Sequence, residues 1–212
     1  TRHRLLKIRA KKVISATGSL ERPLIFNNND RPGILLSSAV EKYANLFGVA
    51  CGEKNVFFTN NDSGYEAAIS LYQKGVNVEA IIDNREEIDS KLIKETEKNN
   101  IKIYKGYTVV NTFGYKRINR ISIMQLSKDG QKVVSSKISI PCDCLGISGG
   151  WTPAVHLFTQ SGGISTAMIS IYRPFGIYYR ANFPFCCNTC WRQICSIGKL
   201  FLPSSRRIWK YT

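Results

Sequence analysis

Short apolar runs alternate with amphipathic segments through the first hundred residues. Residues 54–59 and 76–83 are rich in apolar and β-branched side chains, which is typical of strands buried on both faces of a parallel sheet. Between them, residues 63–74 carry apolar side chains at helical spacing and end before Gly75. This order predicts a β-α-β unit with a right-handed crossover between two parallel strands.

Two further helices are predicted around this unit. Residues 38–47 have helical spacing and stop at Gly48, and residues 89–99 form a more polar helix. Two helix starts match the capping-box pattern, in which a hydroxyl and a carboxylate three residues apart satisfy backbone N–H groups. The pairs are Ser38 with Glu41 and Ser63 with Glu66.

After residue 100 the pattern changes from helical spacing to alternation. The runs predicted as strands are 101–104, 107–111, 120–126 and 133–140, with a hairpin turn at Lys128-Asp129-Gly130. A short buried strand over 143–148 then leads into Gly149 and Gly150. The predicted fold class is α/β: a Rossmann-like, mostly parallel sheet with an antiparallel β-meander inserted near 107–140.

The N-terminal segment resembles the end of a second copy of this plan. Basic and smaller or apolar residues alternate over residues 1–12, which predicts a strand, and the run from Val13 leads into Ala16-Thr17-Gly18. A small residue followed by glycine lets a cofactor approach the backbone closely, although this tripeptide is common. We therefore predict that 1–33 ends a first dinucleotide-binding domain and that 34–163 forms a second, Rossmann-like domain.

Charged residues are distributed unevenly along the chain. The formal net charge of +15 invites a nucleic-acid interpretation. No recognition-helix or ribonucleoprotein motif accompanies it, and nearly half of the excess lies in 164–212, which has seven basic residues and no acidic one. We expect no nucleic-acid partner. That tail also lacks a helical or strand period, which is typical of a disordered or out-of-frame segment.

Cysteine usage indicates a reducing compartment, and hydropathy indicates no membrane span. Seven cysteines is an odd number, so free thiols and a cytoplasmic location are expected. The chain starts with Thr and shows no signal peptide, which suggests a fragment or a processed chain. The longest run without charged residues, 144–172, is too rich in glycine and hydroxyl groups for a membrane span. Cys187 and Cys190 match half a zinc site without a second half, so no metal is expected.

Candidate chemistry in the α/β part is sparse. The loop 59–65 stands where a dinucleotide fingerprint would lie, but only Gly64 remains of its glycines, and Asp83 occupies the place of a ribose-binding carboxylate. An altered nucleotide site and a scaffold that no longer binds dinucleotide both fit, and we favour the scaffold. His156 suits a helix start, and Cys142 and Cys144 are expected on one face of the core, so no catalytic residue is predicted.

Three motifs together resemble a known family. They are Ala16-Thr17-Gly18 with Glu21-Arg22-Pro23, then Thr59-Asn60-Asn61-Asp62-Ser63-Gly64-Tyr65, then Ser148-Gly149-Gly150-Trp151 continuing to Gly163. In order and spacing they resemble the alpha subunits of heterotetrameric sarcosine oxidases over residues 4 to 163. The alpha subunits of related amine and opine dehydrogenases share the general plan.

The resemblance implies a fragment of a two-dinucleotide-binding-domain flavoprotein, an oxidoreductase in the oxidative demethylation of sarcosine. It implies NAD and FMN as cofactors, a beta subunit that performs the catalysis, and further subunits of a hetero-oligomer. The expected cofactor-binding residues are Ala16, Thr17, Gly18, Gly149 and Gly150. The alternatives are an inactive scaffold that docks the beta subunit and a subunit of a related dehydrogenase.

Overall fold

A computed structural model describes residues 3, 5–9, 16–88, 91–130, 132–160, 167–172 and 176–181. Its helices are α1 (Ser37–Phe47), α2 (Ser63–Gln73), α3 (Lys91–Lys98) and α4 (His156–Gln160). Its strands are β1 (Ser19–Glu21), β2 (Ile34–Leu36), β3 (Asn55–Thr59), β4 (Val78–Asp83), β5 (Lys102–Lys105), β6 (Tyr107–Gly114), β7 (Ile118–Gln125), β8 (Ile138–Pro141), β9 (Cys144–Ser148), β10 (Trp151–Pro153), β11 (Ala167–Tyr172) and β12 (Gly176–Ala181).

A five-stranded parallel sheet carries the fold, in the order β2-β9-β3-β4-β5. β9 follows the meander in the chain but lies between β2 and β3, with Val56 opposite Leu145 and Thr59 opposite Ser148. The antiparallel meander β6-β7-β8 is inserted between β5 and β9. This confirms the predicted fold class of a mostly parallel sheet with an inserted meander.

The sheet is buried on both faces, because neighbouring residues of a strand point to opposite sides. Phe57 of β3 packs with the residues of α1, α2 and α3, whereas Val56 and Phe58 pack with the meander. On the helix side the buried cluster comprises Val40, Phe57, Tyr65, Ala67, Ala68, Leu71, Val78, Ile81, Ile93, Ile101 and Cys144. On the meander side it comprises Leu24, Phe26, Val56, Phe58, Ala80, Ile82, Val109, Ile118, Ile121, Ile123, Ile140, Cys142, Leu145 and Ile147.

The predicted capping boxes are wrong, although both helices begin within one residue of the expected place. Neither α1 nor α2 has a hydrogen bond from the side chain at its N-cap position. At α1, the Ser38 N–H donates instead to Glu21, 17 residues earlier in the chain. At α2, the Ser63 N–H donates to the side chain of Asn61. Acceptors supplied by the tertiary structure and by the preceding loop replace the local boxes.

The strand predictions fail at two places. Residues 5–9 are not in a strand, and Leu5, Leu6 and Ile8 are largely exposed there. The strand expected over 133–140 is shortened to β8, with only an isolated bridge between Val133 and Leu126 before it. Apolar alternation needs a pairing partner to become a strand, and the segment 5–9 lacks one among the described residues.

The two thiols expected on one face lie in different parts of the core. Cys142 packs with the meander cluster and Cys144 with the helix cluster. The reason is that β9 begins only at Cys144, after Asp143 has turned to accept hydrogen bonds from the N–H groups of Glu53 and Lys54. The expectation of core packing itself is confirmed. Burial raises the pKa of each thiol to about 12.

The chain divides into two compact units: one of residues 1–19, 153–166 and 181–212, and one of 20–152 and 167–180. In the first unit, the Thr17 hydroxyl donates to the Ala154 carbonyl, and the Ala154 N–H donates to the Gly18 carbonyl over 2.9 Å. The paired strands β11 and β12 are the part of 164–212 that the structure describes. The predicted boundaries at residues 33 and 163 stay predictions. Among the described helices, none has the length and apolar character needed to cross a membrane.

Truncation of Phe58 should destabilise the chain strongly. Phe58 is 1% exposed, between the sheet and the meander, so Phe58→Ala should lower the free energy of unfolding by about 3–5 kcal/mol through lost burial and a residual cavity. Phe47→Ala is the matched control, because Phe47 is 69% exposed and its loss should cost within about 0.5 kcal/mol. Urea unfolding measures both, and equal costs would contradict the assignment of the core.

The buried thiols should weaken the fold at alkaline pH. The folded pKa of Cys142 lies at about 12 against an ordinary 9.0, so their contribution is complete below pH 9.0 and is lost as the pH rises toward 12. Between pH 8 and 11, Cys142→Ala should show a shallower decline in unfolding free energy than the unaltered chain. Cys51→Ala, at a half-buried thiol, should change the slope less. Identical slopes in all three proteins would refute this.

Candidate functional site at the carboxyl edge of the parallel sheet

Polar residues collect at the carboxyl ends of the parallel strands. β3, β4 and β9 end at Thr59, Asp83 and Ser148, and all three residues are buried. β2 ends at Leu36, where α1 begins. We call this region, with the residues that directly follow each strand, the carboxyl edge. In open α/β sheets ligands bind outside this edge, where strand ends and helix N-termini meet.

Asn61 organises the loop between β3 and α2. Its side-chain amide donates to the Ser148 carbonyl over 3.0 Å and to the Ser148 hydroxyl over 3.1 Å. Its side-chain oxygen accepts the Ser63 N–H over 2.9 Å, and its own backbone N–H donates to the Thr59 hydroxyl over 3.1 Å. One side chain therefore ties β9 to the start of α2, in the space where a glycine-rich loop would admit a phosphate.

Asp83 is fully buried and held by Arg85. The guanidinium Nη2 lies 2.9 Å from one carboxylate oxygen, Nε lies 3.2 Å from each oxygen, and the Arg85 N–H donates to Oδ1 over 2.9 Å. Arg85 also reaches Asp62 over 3.0 Å. Burial opposes the charge of Arg85, but Asp83 and Asp62 outweigh it and raise the pKa of the guanidinium. The carboxylate in the ribose position is thus engaged within the chain.

Tyr65 and Trp151 complete this side of the edge. Tyr65 is fully buried, and burial together with the nearby Asp83 carboxylate raises the pKa of its phenol. The Trp151 indole N–H donates to the Ser63 hydroxyl over 2.8 Å. The hydroxyl expected to start a capping box thus receives a hydrogen bond from β10.

The side chain of Glu21, the last residue of β1, lies at the N-terminus of α1. Glu21 is 9% exposed, and its carboxylate accepts the Ser37 hydroxyl over 2.5 Å and the Ser38 N–H over 3.0 Å. α1 has no acidic residue of its own in the first turn. A negative charge near a helix N-terminus is favourable because it complements the helix dipole and the free N–H groups.

Of the predicted cofactor residues, Gly149 and Gly150 lie at the carboxyl edge. The Gly149 N–H donates to the Arg22 carbonyl over 2.7 Å, and a side chain at Gly149 would approach the Arg22 and Pro23 carbonyls to 2.9 and 3.0 Å. The need for glycine there is therefore met by the chain's own backbone. Gly150 has a φ of +95° and open space around its Cα. Cofactor contact at either glycine stays a prediction.

Ala16, Thr17 and Gly18 belong to the other compact unit. Ala16 and Thr17 are exposed. Gly18 has a φ of +73° with no atom near a would-be side chain, so its backbone is accessible as the predicted cofactor turn requires. The buried strand expected just before it, at residues 13–15, lies outside the described residues.

Sequence reasoning missed Glu21 and Arg85 as parts of the edge. The sequence indicates Glu21 only as part of the motif Glu21-Arg22-Pro23, since its partner helix is distant in sequence. Arg85 stands two residues after a strand-end aspartate, a spacing that could have indicated the pair. His156 starts α4, as expected for a helix-start residue, and its side chain is exposed. Across the described ranges no three His, Cys, Asp or Glu side chains cluster for a metal, and the tail cysteines Cys186 to Cys195 lie outside them.

Loss of Arg85 should cost far more than loss of an exposed cation. Arg85→Ala would leave the buried Asp83 carboxylate without its guanidinium, which should lower the free energy of unfolding by about 3 kcal/mol. Lys105→Ala is the matched control, because the Lys105–Glu97 pair is exposed at 3.7 Å and should contribute less than about 1 kcal/mol. Chemical denaturation of both variants tests this, and similar costs would show that Asp83 does not depend on Arg85.

Comparison with solved structures shows the same fold. The thioredoxin reductase of T. acidophilum matches with a TM-score of 0.57 and 21% identity, over 77% of this chain and 50% of that one. The thioredoxin reductase of Lactococcus lactis matches with a TM-score of 0.54 and 16% identity, over 82% of this chain and 55% of that one. Identities this low establish the shared Rossmann-like fold alone. No family model matches the chain.

Comparison of sequences gives a closer relation. The sarcosine oxidase subunit alpha of Corynebacterium sp. strain U-96 is 37% identical over 163 residues, which are 77% of this chain and 17% of that subunit. The subunit of the same name from Rhizobium meliloti is 35% identical over 160 residues, 76% of this chain and 15% of that subunit. The chain thus spans about a sixth of the length of the curated relatives it matches. Over the matched three quarters of its length, the chain is similar to the alpha subunits of sarcosine oxidases.

Proposed function

We propose that this chain is a segment of an oxidoreductase subunit that takes part in the oxidative demethylation of sarcosine. The observation that carries the proposal is the 35–37% identity to three sarcosine oxidase alpha subunits over 160–165 residues. The Rossmann-like fold shared with thioredoxin reductases supports an oxidoreductase. We propose further that 1–33 ends a first dinucleotide-binding domain, that 34–163 forms the second, and that the subunit works in the cytoplasm.

Catalysis is assigned to a partner beta subunit and not to this chain. In the described ranges the buried carboxylates are Glu21 and Asp83, and each is engaged by neighbouring groups of the chain. A general base needs an oxygen or nitrogen free to reach the substrate's proton. Neither carboxylate offers one. The role left to these residues is to hold the scaffold on which cofactors and partner are arranged.

NAD and FMN are the cofactors we propose. The turn Ala16-Thr17-Gly18 would contact NAD through its backbone, which the left-handed φ of Gly18 and the open space around it permit. Gly149 and Gly150 are the second proposed contact, at the end of β9. A bound dinucleotide and flavin would supply redox chemistry, and the residues named here would position them.

A hetero-oligomer is supported by an exposed apolar surface on and after α1. Tyr43, Leu46, Phe47 and Val49 are 45–72% exposed, and the rings of Tyr43 and Phe47 lie 5.9 Å apart. Apolar side chains gathered on a surface are typical of a protein interface. The relatives are named as alpha subunits, and the beta subunit is the partner we propose for this chain.

NAD should stabilise the chain, and Gly18 should be required for it. At one hundred times its dissociation constant, NAD should raise the melting temperature by about 5 °C, because it binds the folded state. Gly18→Val should abolish the rise by placing a side chain in the open space of the turn. Gly48→Val is the matched control, since both glycines have positive φ, +73° and +63°, and open surroundings. Differential scanning fluorimetry reports all three, and no shift at millimolar NAD would contradict a site in this chain.

A further inference from the structure

Both long helices that start at the carboxyl edge have their N-termini filled by acceptors of the chain itself. At α1 the acceptor is the Glu21 carboxylate, and at α2 it is the Asn61 side-chain oxygen. These N-termini are the places where sheets of this class receive the phosphates of a ligand. The chain's own acceptors therefore occupy two separate helix N-termini, which is more than a single loop contact would produce.

The Glu21 carboxylate has the properties of a bound anion. It is 9% exposed, it uses one oxygen for the Ser37 hydroxyl and the other for the Ser38 N–H, and it comes from outside the helix. A buried carboxylate is costly unless it is hydrogen-bonded, and the helix dipole adds to its stabilisation. An external phosphate arriving at α1 would meet this negative charge and find the Ser38 N–H already in use.

Asn61 closes the second place in a different way. An anion at the start of α2 would have to displace a side chain that makes hydrogen bonds of 2.9 to 3.1 Å to Ser63 and to both Ser148 acceptors. It would also approach Asp62, whose carboxylate lies 3.0 Å from Arg85. The Arg85 guanidinium, which could attract a phosphate, is thereby shared between Asp62 and the buried Asp83.

We propose that the two helix starts at the carboxyl edge of unit 20–152 are self-liganded: Glu21 is an internal anion that takes the place of a ligand phosphate at α1, and Asn61 closes α2, so neither helix start takes a dinucleotide phosphate. Glu21 acts as a positioning residue, which joins the end of β1 to the first turn of α1. The proposal concerns residues 21 to 148 and is independent of the NAD contact proposed at Gly18.

Chemical rescue tests the internal anion. Glu21→Ala should lower the melting temperature by about 2–4 °C, the shift expected for a lost helix cap in a chain of this size. Sodium acetate should then raise the melting temperature of this variant above that in sodium chloride of equal ionic strength, because acetate can enter the vacated place. The unaltered chain should show no such difference between the two salts.

Two further variants separate charge from shape. Glu53→Ala removes an exposed carboxylate and should show neither the loss nor the acetate effect. Glu21→Gln keeps the shape and one acceptor, so it should melt between Glu21→Ala and the unaltered chain and should not respond to acetate. Glu21→Gln also keeps the test valid if Glu21→Ala does not fold. A Glu21→Ala chain as stable as Glu53→Ala, or one that acetate does not stabilise beyond chloride, would overturn the assignment.

The closed edge is tested with ADP, which carries the diphosphate and ribose of a dinucleotide. We expect no ADP-dependent melting shift to remain in Gly18→Val, in which Asn61 still fills the start of α2. A shift that survives Gly18→Val would show that the edge binds the diphosphate although Asn61 is in place, and the proposal would be wrong. A shift lost in Gly18→Val alone belongs to the other unit and leaves the closed edge supported.

Discussion

The parallel pairing of β9 with β2 on one side and β3 on the other is the constraint on which the unit depends. It places Leu145 opposite both Ile34 and Val56. The strand that follows the three-stranded meander thus joins β2 to the rest of the parallel sheet. It also sets Ser148 beside the loop after β3, where Asn61 reaches it. Without this pairing both buried clusters would lose the residues that β9 contributes to them, and the carboxyl edge would lose Ser148 and Gly149.

Electrostatics at that edge follow from burial. Asp83 and Glu21 are buried, where an unpaired carboxylate would be costly, and each is matched by a group of the chain, Asp83 by Arg85 two residues later and Glu21 by Ser37 16 residues later. Arg85 neutralises the first, while the Ser37 hydroxyl and the start of α1 accommodate the second. The same contacts that stabilise the charges use up the donors that a nucleotide would need.

The elements differ in how well the sequence predicts them. α2 and β3 were predicted to within a residue, because a short strand with an apolar centre next to an amphipathic helix has few other solutions. The strand expected over 133–140 failed, and so did both capping boxes, because their local patterns compete with partners supplied by the fold. Cys142 and Cys144 were assigned to one face by simple alternation, whereas the turn at Asp143 sends them to opposite clusters.

Apolar periodicity and the three quoted motifs by themselves determined the α/β class, the inserted meander and the relation to sarcosine oxidase alpha subunits. These properties are encoded locally, in strand and helix periods and in the order of short motifs. Tertiary structure alone decided what fills the carboxyl edge, since Glu21 and Ser37 are 16 residues apart, and Asn61 and Ser148 are 87. No local pattern encodes such pairs, because they form only when the sheet order brings the end of β9 beside β3 and Glu21 to the first turn of α1.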